Sequence, residues 1–538
     1  MIFLVEFDVH DGVSASKLYV STHGISSGPN DVPANQYYRS RLESVGRIER
    51  SMFGNSDGVS GGTTGGQSEV GFGNVSVING APGGFEEFID DWKDLAFRAV
   101  TIMSLTGRTQ PFAQRVTRFV GPVEQLVSTN ALQQFDIIIH DRLKDLDKPL
   151  LVNQYLGTTN FGGLGTVEGD ADMKDQIKRK VWGSQHNIEC IDVNHYDLVR
   201  QVSDGPVVSI VAYDGGVALT NDGDVGSLSA LFAASVLPGH YVTCVALGLF
   251  RLGTSAAGAV TADVVEGATP ALRTAGQIAR RMLTWFQSMY PGTTTILSAS
   301  DVTALDTLNS AECGIMVADT ETALSAVTRV LNSVGAWMLP QSENSTMFDC
   351  GRLDLPTGQA VASYDFDDNI GGTPERIESG DDSKGVPAWK VIVKYDQLGL
   401  VQRGGDLFGA VTENDPLRVA YLAQEWRQAS AEDEDVLDQW PQAPTITVET
   451  RLLTQAAAAA EAARLLAIYK RPRDIWRIKV PMSDDPADDP GIGEVVELTS
   501  RSGRMMLGTE AGFGKLFRAL GRIDDFDDVA ILTLTLWG

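Results

Sequence analysis

Short apolar runs, alternating with polar residues and separated by glycine and asparagine clusters, restrict most of this chain to β structure. From Lys17 to about Leu156 they include Val70 to Ile78, Ala99 to Ile102 and Phe135 to His140. This spacing predicts an antiparallel β-domain. The opening residues Met1 to His10 are apolar for only five positions and carry Glu6 and Asp8, so they read as its first strand rather than a leader. Gly54 to Gly66 is too rich in Gly, Ser and Thr to bury a face and predicts a surface loop. Gly157 to about Gly267 begins with glycine-rich text and continues in strand-like runs at Val207 to Tyr213, Val217 to Leu219 and Tyr241 to Leu247, a second β-rich module.

Helical periodicity enters later. After Thr269, read as an N-cap followed by Pro270, apolar residues fall at Leu272, Ala275, Ala279, Met282, Leu283 and Phe286. A second helix follows Thr320, with Leu324, Val327, Leu331 and Val334 on one face. A loop rich in Asp and Gly, Asp365 to Gly385, precedes a strand at Val391 to Tyr395. The alanine-rich stretch Thr454 to Tyr469 predicts a helix because alanine loses no side-chain entropy there, and Pro472 ends it. Strands follow at Trp476 to Val480, Val495 to Leu498 and Val529 to Trp537. A chain of 538 residues exceeds the roughly 250 to 300 that one core supports. The expected fold class is therefore mainly β with α+β insertions, divided at residues 1–156 (barrel-like), 157–267 (β-rich), 268–356 (small α/β) and 357–538 (C-terminal barrel with the alanine-rich helix).

Charge narrows the function. The chain has 43 Lys plus Arg against 70 Asp plus Glu, a formal charge of -27, which repels phosphate backbones and anionic lipid surfaces. Tight nucleic-acid binding is disfavoured. The acidic runs Asp381-Asp382, Glu432 to Asp435, Asp484-Asp485, Asp488-Asp489 and Asp524 to Asp528 read as solvated faces. Cys190, Cys244, Cys313 and Cys350 form no CxxC pair and read as buried thiols of a protein made in a reducing cytoplasm. No stretch offers the roughly 18 uncharged apolar residues of a membrane span, since even Ala230 to Leu249 is broken by Pro238, Gly239 and His240.

Catalytic text is sparse. Gly58-Val-Ser60-Gly-Gly62 matches a nucleophile elbow, but such an elbow needs a strand before it and a helix after it, and both flanks here are loop-like. Thr509 to Leu516 imitates a phosphate loop with threonine for its first glycine and leucine for the Mg²⁺-binding hydroxyl, so a tight β-turn explains it better. His186, Cys190 and His195 carry ligand chemistry without a fourth partner at matching spacing, and read as strand and turn residues. Thr220 to Asp224 has the oxygens of a Ca²⁺ loop without its closing Glu, and reads as a turn. No catalytic, cofactor-binding or metal-binding residue is assigned, and the chain is not expected to be an enzyme.

The order of motifs carries a resemblance. An alanine-rich helix runs into Ala462 to Arg473, followed by Ile475 to Val480, Gly493 to Leu498, a short basic turn at Arg501 to Arg504, Leu520 to Ile523 and a terminal Leu-Trp-Gly538. This resembles the end of siphophage (or gene-transfer-agent-like) tail-tip hub proteins. Tyr19 to Gly24, Pro33 to Asn35, Gly61 to Gln67, His140 to Arg142 and Tyr213 to Leu219 resemble the N-terminal half of the same group. The resemblance implies two tail-tube-like β-barrel domains per chain and a homotrimer that adapts a sixfold tube and distal tail ring to a threefold tip. It also implies contacts with distal tail protein, tape measure protein and central fibre or receptor-binding components, with genomic DNA passing through a channel. An acidic lumen would let that DNA slide without sticking.

Two other readings have distinct requirements. A cell-wall hydrolase needs a buried carboxylate pair, whereas the acidic runs sit in Gly, Pro and Asp-rich text. A receptor- or glycan-binding module would use exposed aromatics such as Tyr37, Tyr38, Trp92 and Trp182, although aromatics at such spacing are commonly core residues.

Overall fold

The computed structural model describes residues 1–10, 12–52, 71–78, 96–129, 134–160, 165–292, 296–341, 347–366, 369–370, 374–377, 386–499, 514–526 and 530–538. They form a mainly β protein with helical insertions. The loop Gly54 to Gly66, Asp381-Asp382 and the basic turn Arg501 to Arg504 lie outside the described residues.

Alternation is used on both faces of the first strand, Ile2–His10. Phe3, Val5, Phe7 and Val9 enter one core with Val75, Ile102 and Ile137, while Ile2 and Leu4 pack on the other face with Tyr38, Met103 and Phe112. Glu6 is buried on that second face, where it accepts the Tyr38 hydroxyl at 2.5 Å. The strand pairs antiparallel with Ala15–Ser21 and Ala99–Leu105. A nine-stranded sheet then continues through Val116–Thr129, Gln134–His140 and Phe72–Ile78 to Leu42–Ser44.

Beyond Leu42–Ser44 the chain leaves this sheet. It turns at Gly46, whose φ is +67° and where a Cβ would stand 2.3 Å from the Asn74 carbonyl oxygen, so glycine alone fits. The next strand, Arg47–Ser51, pairs antiparallel with Lys515–Asp525 of the C-terminal sheet. Strand pairing thus spans segments that periodicity divides into separate domains.

The middle of the chain shows the same sharing. Lys180–Glu189 pairs with Val260–Val265 on one side and with Gly314–Val317 on the other, so this five-stranded sheet crosses residue 267. A second five-stranded sheet ends in Thr220–Asp224. That segment, expected as a turn, is an edge strand parallel to His240–Cys244. Asp224 Oδ1 accepts the Thr243 hydroxyl at 2.8 Å and the Val245 N–H at 2.9 Å, which ties an oxygen-rich segment to a strand.

Both expected amphipathic helices are present with later starts. Pro270–Leu272 is a single 3₁₀ turn that leaves Leu272 39% exposed, and the α-helix is Ala275–Met289, capped by Thr274 accepting the Gln277 N–H. The second, Ala323–Leu331, is capped by Thr322 rather than Thr320, and Val334 lies in the 3₁₀ turn after it. An unanticipated helix, Ala299–Leu308, lies between them.

Within Asp365 to Gly385, expected to be loop throughout, Glu375–Ile377 is a strand because it finds Ile475–Pro481 as partner. The alanine-rich helix is Gln455–Tyr469, capped by Thr454. Ala458, Ala462 and Leu465 share a core with Val391, Val393 and Ala429 of a three-stranded sheet, Arg427–Glu432, Lys390–Tyr395 and Thr445–Glu449. The C-terminal sheet runs in the order Ala362–Asp365, Val495–Thr499, Lys515–Asp525, Ile531–Trp537, Ile475–Pro481, Glu375–Ile377. All four cysteines are buried and free, as expected, and burial pushes the thiols of Cys313 and Cys350 up to about 12.

Candidate functional site

The feature with the most concentrated chemistry is the seam where the N-terminal sheet meets the C-terminal one. Met482, Phe526 and Ala530 from the C-terminal segment enter the N-terminal core, and Phe526 meets Phe3 edge-on at 5.4 Å between centroids. Beside this apolar patch lies a buried cluster of three guanidiniums and two carboxylates. Arg50 Nη2 is 2.5 Å from Asp524 Oδ2, with the side chains 9% and 4% exposed. Arg522 Nε donates to Asp524 Oδ1 at 2.8 Å, and Asp489 Oδ2 lies 3.5 Å from Arg522 and 3.8 Å from Arg118. Arg118, on the Val116–Thr129 strand, also donates to the carbonyls of Ser483 and Asp484 at 2.8 and 2.6 Å.

Asp489 and Asp524 correct the expectation of solvated acidic faces, because both are buried; their neighbours Asp484, Asp485 and Asp488 are exposed as expected. Distance separates the two buried carboxyls electrostatically. Burial raises Asp489, whose guanidinium contacts are long. At Asp524 burial also pushes upward, but Arg522 and Arg50 at closer range win and hold the carboxyl below its ordinary value.

Asp141 stands nearby at the start of the 3₁₀ turn Arg142–Leu146, accepting the N–H groups of Leu143 and Gly71 at 2.9 and 2.8 Å. Burial pushes this carboxyl up to about 7 against those two donors and against Arg50. The folded chain therefore holds a proton that the unfolded chain has lost. This contribution to stability is complete below the ordinary carboxylate value and disappears as pH rises through about 7. Asp141→Asn is expected to remove a slope of up to about 1.4 kcal/mol per pH unit across that window. Urea unfolding of both proteins over the window checks this, and parallel profiles would contradict it.

Residues singled out in the sequence fall elsewhere. His186, Cys190 and His195 are not brought together. Cys190 packs in the core of the middle sheet, and His195 is exposed with Nδ1 3.5 Å from Asp192. His186 instead meets Asp396, Nδ1 to Oδ1 2.6 Å, and the Tyr421 hydroxyl donates to the other oxygen at 2.9 Å. That contact raises His186 despite its burial; Asp396, pushed up by burial, is held low by His186, Tyr421 and Arg427. Among the described residues no group of three or more His, Cys, Asp or Glu is placed to hold a metal ion. Tyr37 is exposed, whereas Tyr38 and Trp182 are core residues, in line with the expectation that aromatics at such spacing are commonly buried. Ser60 and Trp92 lie outside the described residues, as does Thr509 to 513, while Lys515 and Leu516 open a strand. Among the described residues no helix is long and apolar enough to cross a membrane.

Fold and seam together define a mainly β chain in which two sheets from opposite ends of the sequence are locked to each other. No family model matches the chain, and no curated protein matches it. Among solved structures it is similar to the tail protein from Neisseria meningitidis MC58, at 11% identity over 100% of this chain and 96% of that one, with a TM-score of 0.42. It is also similar to the 43 kDa tail protein of prophage MuSo2 from Shewanella oneidensis, at 11% identity over 94% and 96% of the two chains and a TM-score of 0.41. A chain of the native gene transfer agent virion aligns at 14% identity over 73% and 91%, with a TM-score of 0.39.

Proposed function

We propose that this chain is a non-enzymatic structural hub at the tip of a phage-type tail. In this reading it forms a homotrimer at the distal end of the virion tail, assembled in the host cytoplasm. Three copies, each with two tube-like β-domains, adapt a sixfold tube and distal tail ring to a threefold tip. Distal tail protein, tape measure protein and central fibre or receptor-binding components are its neighbours, and DNA passes through its channel without tight binding. The observation that carries the reading is the seam. A chain that supplies two segments of one ring must hold them at a fixed angle while DNA passes, and here a strand exchanged between sheets is backed by buried charge and apolar packing. The motif order read from the sequence supports the same assignment.

Cryo-electron microscopy of the particle tests it. Threefold density at the distal end of the tail, with acidic side chains lining the lumen, is the expected result. Density in peripheral fibres, or absence from the particle, would overturn it, and a basic channel would overturn the acidic lumen.

A further inference from the structure

Between the paired strands Lys390–Tyr395 and Arg427–Glu432 the chain leaves its three-stranded sheet and lies against the middle sheet, carrying two short helices, Gly409–Asn414 and Pro416–Leu422. We infer that this excursion, residues 396–426, is a pH-sensitive strap, gripped while His186 of the middle sheet is protonated against Asp396 at the foot of the strap and loosened when that proton leaves. The inference concerns one chain alone and does not rest on the assignment to a tail.

The strap is lightly held. Its buried apolar residues are the small cluster Leu398, Leu407, Val411 and Leu422, and Leu417 is 83% exposed. Main-chain N–H groups reach the sheet from Gly399 to the His186 carbonyl at 3.1 Å, from Leu400 to that of Asn187 at 2.8 Å and from Phe408 to that of Gly215 at 2.9 Å. The Arg418 guanidinium lies 4.1 Å from the centre of the Tyr213 ring. A segment with so little buried apolar surface opens locally at small cost, so a change in one contact shifts its opening equilibrium.

The contact that can change is at the foot. Asp396 turns the chain out of its strand with a φ of +50°, and its side chain is 8% exposed. Tyr421 and Arg427 hold it from the far end of the strap, the phenol donating to Oδ2 at 2.9 Å and the guanidinium to the main-chain carbonyl at 2.9 Å. His186 approaches from the middle sheet, with Nδ1 2.6 Å from Oδ1. Asp396 is thus fixed to the strap and His186 to the sheet, and their contact spans the joint.

Two carboxylates and one guanidinium face the imidazole. Hydrogen bonding to Asp396 favours its charged form and outweighs burial; the charges of Asp396 and of Asp263, on the strand Val260–Val265, add to it, and Arg427 opposes it. Asp263 is engaged elsewhere, accepting the Asn187 N–H at 2.8 Å and the Tyr213 hydroxyl at 2.9 Å. Burial and Asp396 raise the Tyr421 phenol, so it stays a neutral donor, while His186, Tyr421 and Arg427 hold Asp396 low despite burial, so it stays ionised. Across the neutral range His186 is therefore the group at this joint whose charge changes. Neutral imidazole still donates through Nδ1, but a charged donor makes the stronger bond to a carboxylate. Because the folded value lies above the ordinary 6.5, the grip is complete below 6.5 and declines as pH rises through the folded value.

Hydrogen exchange of the full chain, read by mass spectrometry between about pH 5 and 8 and corrected for the intrinsic rate, tests the strap. Protection of residues 397–422, measured against the alanine-rich helix Gln455–Tyr469, should fall about fivefold as pH rises. The fall should vanish in His186→Gln, which keeps a neutral N–H donor, and in Asp396→Asn, whose asparagine suits the left-handed backbone there. Asp141 also titrates near neutrality but is present in all three proteins, so its slope cancels in the comparison. In the wild-type chain the imidazole resonance missing from His186→Gln should titrate above 6.5. A flat wild-type profile, a slope that survives in either variant, or a His186 titration at or below 6.5 would overturn the strap.

Discussion

Asp524→Ala is expected to lower the unfolding free energy by about 3 to 5 kcal/mol, because it removes the buried carboxylate that two largely buried guanidiniums share. Asp524 is 4% exposed at its side chain and receives both Arg50, from the Arg47–Ser51 strand, and Arg522, from its own strand. With it gone, Arg50 and Arg522 lose the carboxylate they share, and Asp489 lies 3.5 Å from Arg522 and 3.8 Å from Arg118. Losing the attraction matters less than leaving charge in a place that water cannot reach. Replacing the pair together, as Arg50→Met with Asp524→Leu, should cost less than Asp524→Ala alone, because only Arg522 then loses its Asp524 contact. The folded carboxyl sits below its ordinary value. Its contribution is thus complete above the unfolded pKa and is lost as pH falls through the folded one, so acid should loosen the seam. Urea unfolding provides the measurement. A loss for Asp524→Ala below about 1 kcal/mol, the scale of an exposed pair, would show that water enters the seam.

Trp537→Ala should cost about 3 to 5 kcal/mol as well, for an unrelated reason. The terminal strand Ile531–Trp537 is not an edge, since it pairs with Lys515–Asp525 on one side and Ile475–Pro481 on the other. Leu532, Leu534 and Leu536 fill the core of the C-terminal sheet. Trp537, 2% exposed, turns to the opposite side and packs in the large core that contains the alanine-rich helix, with the Arg473 guanidinium 5.6 Å from its ring. Truncation opens a cavity at the point where sheet and helix meet, and neither can collapse without breaking strand pairing. Thermal unfolding reports the loss. An unchanged transition would mean that the last residues fray from the sheet.

Much of the local structure was legible in the residues themselves. Alternation located Ile2–His10 and Ile531–Trp537, alanine's low entropic cost located Gln455–Tyr469, and the absence of paired spacing marked the cysteines as buried thiols. Thr445–Glu449 also alternates cleanly and could have been found by its period, whereas Arg427–Glu432 is a strand chiefly because Lys390–Tyr395 lies beside it. Helix starts slipped by a few residues because Thr269 and Thr274, or Thr320 and Thr322, have the same capping chemistry, and packing chooses between them.

What the sequence by itself determined, then, is the kind of element each segment forms, since that depends on periodicity, entropy and turn chemistry acting over a few residues. The tertiary structure alone decided which elements meet. Arg50 and Asp524 stand 474 positions apart, and nothing local marks Asp524 as buried where Asp484, Asp485 and Asp488 are exposed. Likewise Arg47–Ser51 has two edges open to pairing and no residue that announces a partner at the far end of the chain. Burial, counter-charge and strand partnership are properties of position in space, and they turn an apparent acidic run into the joint between two sheets.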